Sequence, residues 1–129
     1  MSSTLIRKNE APSFSQHGTH VIGYASPSRG AASVSMWQLA LAAGSESPVH
    51  QLTQGEAFLA LSGEAVVELG EEPQVFQAGD GLWVPPGVPF RIRNAGTQPF
   101  VAVACMVAGG KAQVGDLAPF ILRDVVGFD

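Results

Sequence analysis

Positive charge is scarce in this 129-residue chain: 7 Lys+Arg stand against 11 Asp+Glu, a formal net charge of −4. The cations are scattered, so no basic stripe can neutralise a run of phosphates. Nucleic acid and an anionic membrane surface are therefore not expected partners. Charge of either sign is thin, at 14% of residues, whereas 46% are hydrophobic. A membrane span is not the source of this excess. Long uncharged stretches such as Gly30 to Ser45 and Asn94 to Gly110 are broken by Gly, Ser, Asn or Gln short of the roughly 20 apolar residues a spanning helix needs. No apolar block follows Arg7 and Lys8, so no export signal is read and the expected location is the cytoplasm. The single cysteine, Cys105, excludes an internal disulfide and agrees with a reducing compartment. It lies in the apolar run Phe100 to Val107 and is expected as a buried, inert thiol. No phosphate-cradling glycine loop, no Ser-His-Asp order and no internal repeat is present.

Glycine and proline, by contrast, are plentiful: 15 and 9 residues, recurring at short intervals along the chain. They punctuate eight candidate strands: His20 to Ala25, Ser33 to Ala42, Glu56 to Leu61, Ala65 to Leu69, Gln74 to Gln77, Gly81 to Val84, Phe90 to Arg93 and Phe100 to Val107. Each gap holds residues suited to a tight turn, among them Ser62-Gly63-Glu64, Ala78-Gly79-Asp80 and Pro85-Pro86-Gly87. The pattern predicts an all-β sandwich or barrel. A weak helical period appears only over Asp116 to Val126, which predicts one short C-terminal helix capped by Asp116. Residues 1–18 read as a polar N-terminal arm, or an added strand in a dimer, ahead of one domain over 19–129.

Several strands are apolar on both faces: Phe58 and Ala60 alternate with Ala57, Leu59 and Leu61, and Val101, Val103 and Cys105 with Ala102, Ala104 and Met106. Strands of that kind are covered on both faces. A barrel has one inside, so the expected cover for its outside is a second copy in a homodimer.

Two stretches carry a resemblance. In the first, Gly44 is followed by His50, Leu52, Glu56 and Gly63. In the second, Gly79 is followed by Pro85, Gly87, Phe90 and Asn94. These resemble the paired motifs of the cupin superfamily, G-x5-H-x-H-x3-4-E-x6-G and G-x5-P-x-G-x2-H-x3-N. Leu52 and Phe90 stand where the family carries histidines. The resemblance covers about Ser33 to Val107. It implies a small jelly-roll β-barrel, commonly a homodimer, with a metal or ligand site inside the barrel mouth.

In family members with a metal, the motif histidines and glutamate converge on one divalent cation. Here the resemblance leaves His50 and Glu56 as the metal candidates, and two protein ligands are few for Fe, Mn, Ni or Zn. The first reading is a binding or sensing module without a resident metal. Its apolar pocket has a small polar corner, formed by His50, Leu52, Gln54, Glu56, Phe58 and Phe90, and takes a small-molecule ligand. Gln54 falls on the His50 side only if the strand runs on regularly, and Gln51 on the other. The second reading is a metal-dependent enzyme of dioxygenase, isomerase or decarboxylase type, in which substrate or water completes the ligands. In the third, a metal-free enzyme, His50 and Glu56 act as catalytic acid and base. Against all three stands a barrel plugged by its own side chains, with His50 and Glu56 a satisfied polar pair. Arg91 and Arg93 share the face opposite Phe90 and Ile92 and are expected outside. Parity does not place Trp37 or Trp83, and His17 and His20 read as exposed or structural.

Overall fold

The computed structural model describes residues 4–16, 18–70, 72–115 and 120–121. Twelve strands follow one another: β1 (Ser13–Gln16), β2 (Thr19–Ala25), β3 (Val34–Leu41), β4 (Gln51–Leu52), β5 (Glu56–Ser62), β6 (Glu64–Leu69), β7 (Pro73–Gln77), β8 (Gly81–Val84), β9 (Phe90–Arg93), β10 (Phe100–Val107), β11 (Lys111–Gln113) and β12 (Phe120–Ile121). The eight expected strands are all present, to within a residue or two at each end. Among the described residues the only helical turn is a 3-10 turn at Pro27–Arg29. Within the segment expected as a C-terminal helix, Phe120–Ile121 instead pairs with β11, and the other residues of that segment lie outside those described. A β-branched and an aromatic residue at the free edge of a ladder favour this pairing over a helical turn.

All pairings are antiparallel. One sheet has the order β1-β2-β3-β10-β5-β8, and the other wall of the jelly roll is built from β7-β6-β9 and β12-β11-β4. The six-stranded sheet continues into the segment read as an arm, because β1 pairs with β2. His17 lies outside the described residues.

Alternation along the strands decides what enters the core. In β10, Phe100, Ala102, Ala104 and Met106 are buried, while their neighbours between are half-buried or exposed. Register carries this across the sheet in rows: Ser35, Met106, Glu56 and Val84 form one inward row, and Trp37, Ala104, Phe58 and Leu82 the next. Phe76 and Phe100 pack their rings 5.4 Å apart farther along the same core. The same parity turns Cys105 outward, between Met36 and Ala57, so it is half-buried on the outer face and not a buried thiol.

Two features lock the ends of this frame. Gly63, in the β5–β6 hairpin, has φ +76° and faces the Pro99 carbonyl oxygen, which any Cβ would strike. Asn94, only 1% exposed, donates from Nδ2 to the carbonyls of Leu41 at 3.0 Å and Gln98 at 2.8 Å, and its Oδ1 accepts from the Gly96 amide at 3.0 Å. It staples β3, β9 and the loop after β9. Changing Asn94 to Ala leaves these buried carbonyls unmet, and the expected loss of stability is about 2–4 kcal/mol, measured by urea unfolding.

Candidate functional site

The segment before β4 has little regular structure of its own and is held by hydrogen bonds to β9. The Gly44 amide donates to Asn94 O, Ser47 N to Ile92 O, and His50 N to Phe90 O at 3.0 Å. In return Asn94 N donates to Ser45 O, Ile92 N to Ser47 Oγ, and Phe90 N to His50 O at 2.8 Å. Residues 44–50 thereby act as a further strand on the β9 edge. Outside this seam Glu68 binds Arg91 and Arg93, and Glu46 reaches Arg91. Both arginines thus face outward, as expected, and are engaged in neutralising carboxylates.

This zipper sets His50 against the motif position occupied by Phe90: their ring centroids are 4.3 Å apart with planes at 45°. His50 Nδ1 lies 2.8 Å from Pro48 O. A carbonyl only accepts, so Nδ1 carries the proton and Nε2 keeps its lone pair. Burial lowers the imidazole pKa below its ordinary value, outweighing the upward pull of the Pro48 bond, so the ring is neutral at pH 7.

Glu56 opens β5, with Met106 on one side and Val84 on the other. It is 4% exposed and has neither a hydrogen bond nor an ion pair among the described residues. Desolvation alone pushes its carboxyl up to about 8, so it is a neutral acid at pH 7. His50 and Glu56 are not a satisfied ion pair: one bonds to Pro48 and the other has no partner. Two residues on, Phe58 meets Phe90 edge-on at 6.4 Å. Leu52 and Phe90 are each 2% exposed and Phe58 6%, all within the continuous core. Of the expected pocket residues, Gln54 is set apart: the chain bends between β4 and β5, breaking the strand parity, and leaves it exposed. Gln51 faces away and donates to Gln113 Oε1 at 3.0 Å.

Carbon therefore occupies two of the three motif positions at which the family carries histidine. Among the described residues no three His, Cys, Asp or Glu side chains cluster in a way that could hold a metal ion. The residues present do not fit a resident divalent cation.

The tryptophans separate cleanly. Trp83 is outward, 59% exposed, and lies over Gly55, where a Cβ would collide with its ring. Trp37 is inward, 1% exposed, and its Nε1–H has no hydrogen-bond partner. Sequence parity did not place it because the run Ser33 to Ala42 mixes small and large residues on both faces; only the pairing with β10 fixes the phase. Two surface recesses, of about 500 Å³ beside Gly63 and Thr97 and about 540 Å³ beside Arg7, Lys8 and His20, lie away from His50 and Glu56.

The raised Glu56 pKa has a consequence for stability. Unfolded, the carboxyl ionises near 4.5; folded, near 8. Between these values the native state holds a proton that the unfolded state has lost, so stability falls as pH rises through that window and levels off above it. Glu56→Gln removes this dependence. Relative to wild type the variant gains stability steadily from about pH 5 to pH 8, by an amount on the order of a few kcal/mol, read from urea midpoints across pH.

Comparison with known proteins follows the same lines. The family model described as Cupin domain matches residues 37–106, more than half of the chain and both motifs. No curated protein sequence matches the chain. Among solved structures, the polyketide cyclase RemF from Streptomyces resistomycificus is similar over 92% of this chain and 88% of its own, with a TM-score of 0.78 and 13% identity. An RmlC-like cupin from Shewanella frigidimarina is similar over 84% of this chain and 93% of its own (TM-score 0.73, 16% identity). A sugar phosphate isomerase of the cupin superfamily from Silicibacter pomeroyi covers 88% of this chain and 82% of its own (TM-score 0.73, 14% identity). At these identities the likeness establishes the jelly-roll fold and leaves the chemistry to the residues themselves. The family model, the strand order and the two motifs agree: this chain belongs to the cupin family.

Proposed function

We propose that this protein binds a small, mainly apolar molecule at the His50–Glu56 end of its barrel and does so without a resident metal. The observation that carries this reading is Glu56: a carboxyl in the inward face with no partner and no counter-charge, held neutral by desolvation. A cation site needs that group ionised and backed by further donors, whereas Leu52 and Phe90 supply carbon. An apolar wall that carries one neutral acid and one neutral imidazole has the lining chemistry of a small-molecule site. A second reading, metal-free acid–base catalysis, is favoured by one specific feature. Glu56 holds a proton to give and His50 Nε2 a lone pair to receive one, both at neutral pH. The test of the metal-free reading is elemental analysis of protein purified without affinity-resin metal or chelator. The expected result is Fe, Mn, Ni and Zn all well below one per chain. Stoichiometric metal that disappears in His50→Ala or Glu56→Gln overturns the proposal.

We also propose that the outer face of the six-stranded sheet is covered by a second copy of this chain. Its outward positions on β3, β10, β5 and β8 carry no charge, and Met36, Leu59, Leu61, Trp83 and Val107 are between 39% and 59% exposed. An uncharged apolar face of this breadth offers a charged partner nothing to pair with, and an identical face supplies the same chemistry in return. Sedimentation velocity at micromolar concentration is expected to give a dimer that Leu59→Glu converts to monomer. A wild-type monomer removes the proposal.

A further inference from the structure

On the outside of the barrel, one recess gathers cations in a chain whose formal net charge is −4. It holds about 540 Å³ and is lined by Arg7, Lys8 and Asn9 from the N-terminal turn and by Ser13, His20 and Ile22 from β1 and β2. Strand register sets its floor. Ser13 pairs with Ile22 and Ser15 with His20, so these four residues share one face of the β1–β2 ladder. Val21 points the other way, pairs with Leu39 and is fully buried, which makes the His20 face the outer one. Ile22 is nonetheless only 7% exposed, because the turn over residues 7–11 lies across this end of the sheet.

The turn is held in place by its backbone. The amides of Glu10 and Ala11 donate to Arg7 O at 2.9 and 3.0 Å, and Gly23 N donates to Pro12 O at 2.9 Å, pinning the exit of the turn to β2. His20 is set from the strand side, its Nδ1 lying 2.6 Å from Ser15 Oγ.

The lining is rich in donors. A guanidinium and an ammonium only donate, and Asn9, Ser13 and His20 add further N–H and O–H groups. No carboxylate lines the recess, and Glu10, next in the chain after Asn9, stands outside it. Arg91 and Arg93 are matched by Glu68, whereas Arg7 and Lys8 make no ion pair among the described residues. Two cations on one recess repel each other, and a doubly charged oxyanion between them reverses the sign of the interaction. A phosphoryl group has that charge at neutral pH, and its three terminal oxygens accept from several donors at once. The recess is larger than one phosphoryl group and has Ile22 in its floor, which suits a small organic body attached to it.

We propose that this recess is a second site, independent of the His50–Glu56 end, that holds the phosphoryl group of a small phosphorylated molecule through Arg7 and Lys8, with Ser13 and His20 completing the donors. Both cations are exposed, so binding is weak and salt-dependent.

The experiment titrates the full chain, labelled with nitrogen-15, with phenyl phosphate at about pH 7.5, where the phosphoryl group carries two charges. Phenol, the same ring without that group, is the control. The amides of Arg7, Lys8, Ser13, His20 and Ile22 are expected to shift saturably with phenyl phosphate, with a Kd on the order of 1 mM, and to stay in place with phenol. Arg7→Ala and Lys8→Ala together are expected to weaken binding about tenfold while the rest of the amide spectrum keeps its wild-type pattern. Raising sodium chloride from about 20 mM to about 200 mM is expected to weaken the wild type several-fold. Absence of saturable shifts, equal affinity in the double variant, an equal response to phenol, or shifts of the same size at Lys111, which lies outside the recess, overturns the proposal. Capture by phosphatidylserine vesicles with no response to phenyl phosphate assigns the cations to a lipid headgroup and overturns it as well. The His50–Glu56 reading stands or falls separately from all of these outcomes.

Discussion

A carboxyl group taken out of water without a counter-charge keeps its proton, and this constraint at Glu56 organises the chemistry of the barrel interior. The position is fixed by the sheet. β5 begins at Glu56, alternation turns that residue inward, and Met106 and Val84 close over it from both neighbouring strands. Had Leu52 or Phe90 been histidine, a bound cation could have held Glu56 as a carboxylate. Their replacement by carbon reverses the balance, so that the same glutamate in the same fold becomes a neutral acid. The substitutions are coherent as a set: apolar packing around Glu56 and the loss of nitrogen ligands push in one direction.

His50 is governed by a different part of the molecule. Its backbone is zipped to β9, its ring rests on Phe90, and Pro48 fixes its tautomer. The zipper is braced outside by the Glu68, Arg91 and Arg93 cluster, exposed charge whose effect is to hold geometry more than to add stability. The interior end of the barrel therefore presents two uncharged groups of opposite hydrogen-bonding character, and the outer face of the six-stranded sheet presents none. Low overall charge has a separate structural origin on each face.

Much of this was legible in the sequence. Gly63, Gly79 and the Pro85-Pro86-Gly87 turn mark strand ends because their backbone requirements are local, and Phe58 follows Glu56 onto the inner face by simple alternation. What escaped was set by pairing across the chain. β4, β11 and β12 are two or three residues long, too short for a period, and exist only because each finds an edge. Gln54 was placed by assuming a regular strand through a bend. Cys105 sat in an unbroken apolar run, where parity has no polar marker to set its phase. Trp37 escaped for the same reason.

The account turns on the protonation of one side chain, and the most direct measurement is the titration of the Glu56 carboxyl carbon by NMR in protein labelled with carbon-13 glutamate, assigned with Glu56→Gln. The expected resonance stays at its protonated position through neutral pH and shifts with a midpoint near 8. A midpoint near the ordinary glutamate value of about 4.3 would contradict the neutral interior acid on which the account rests.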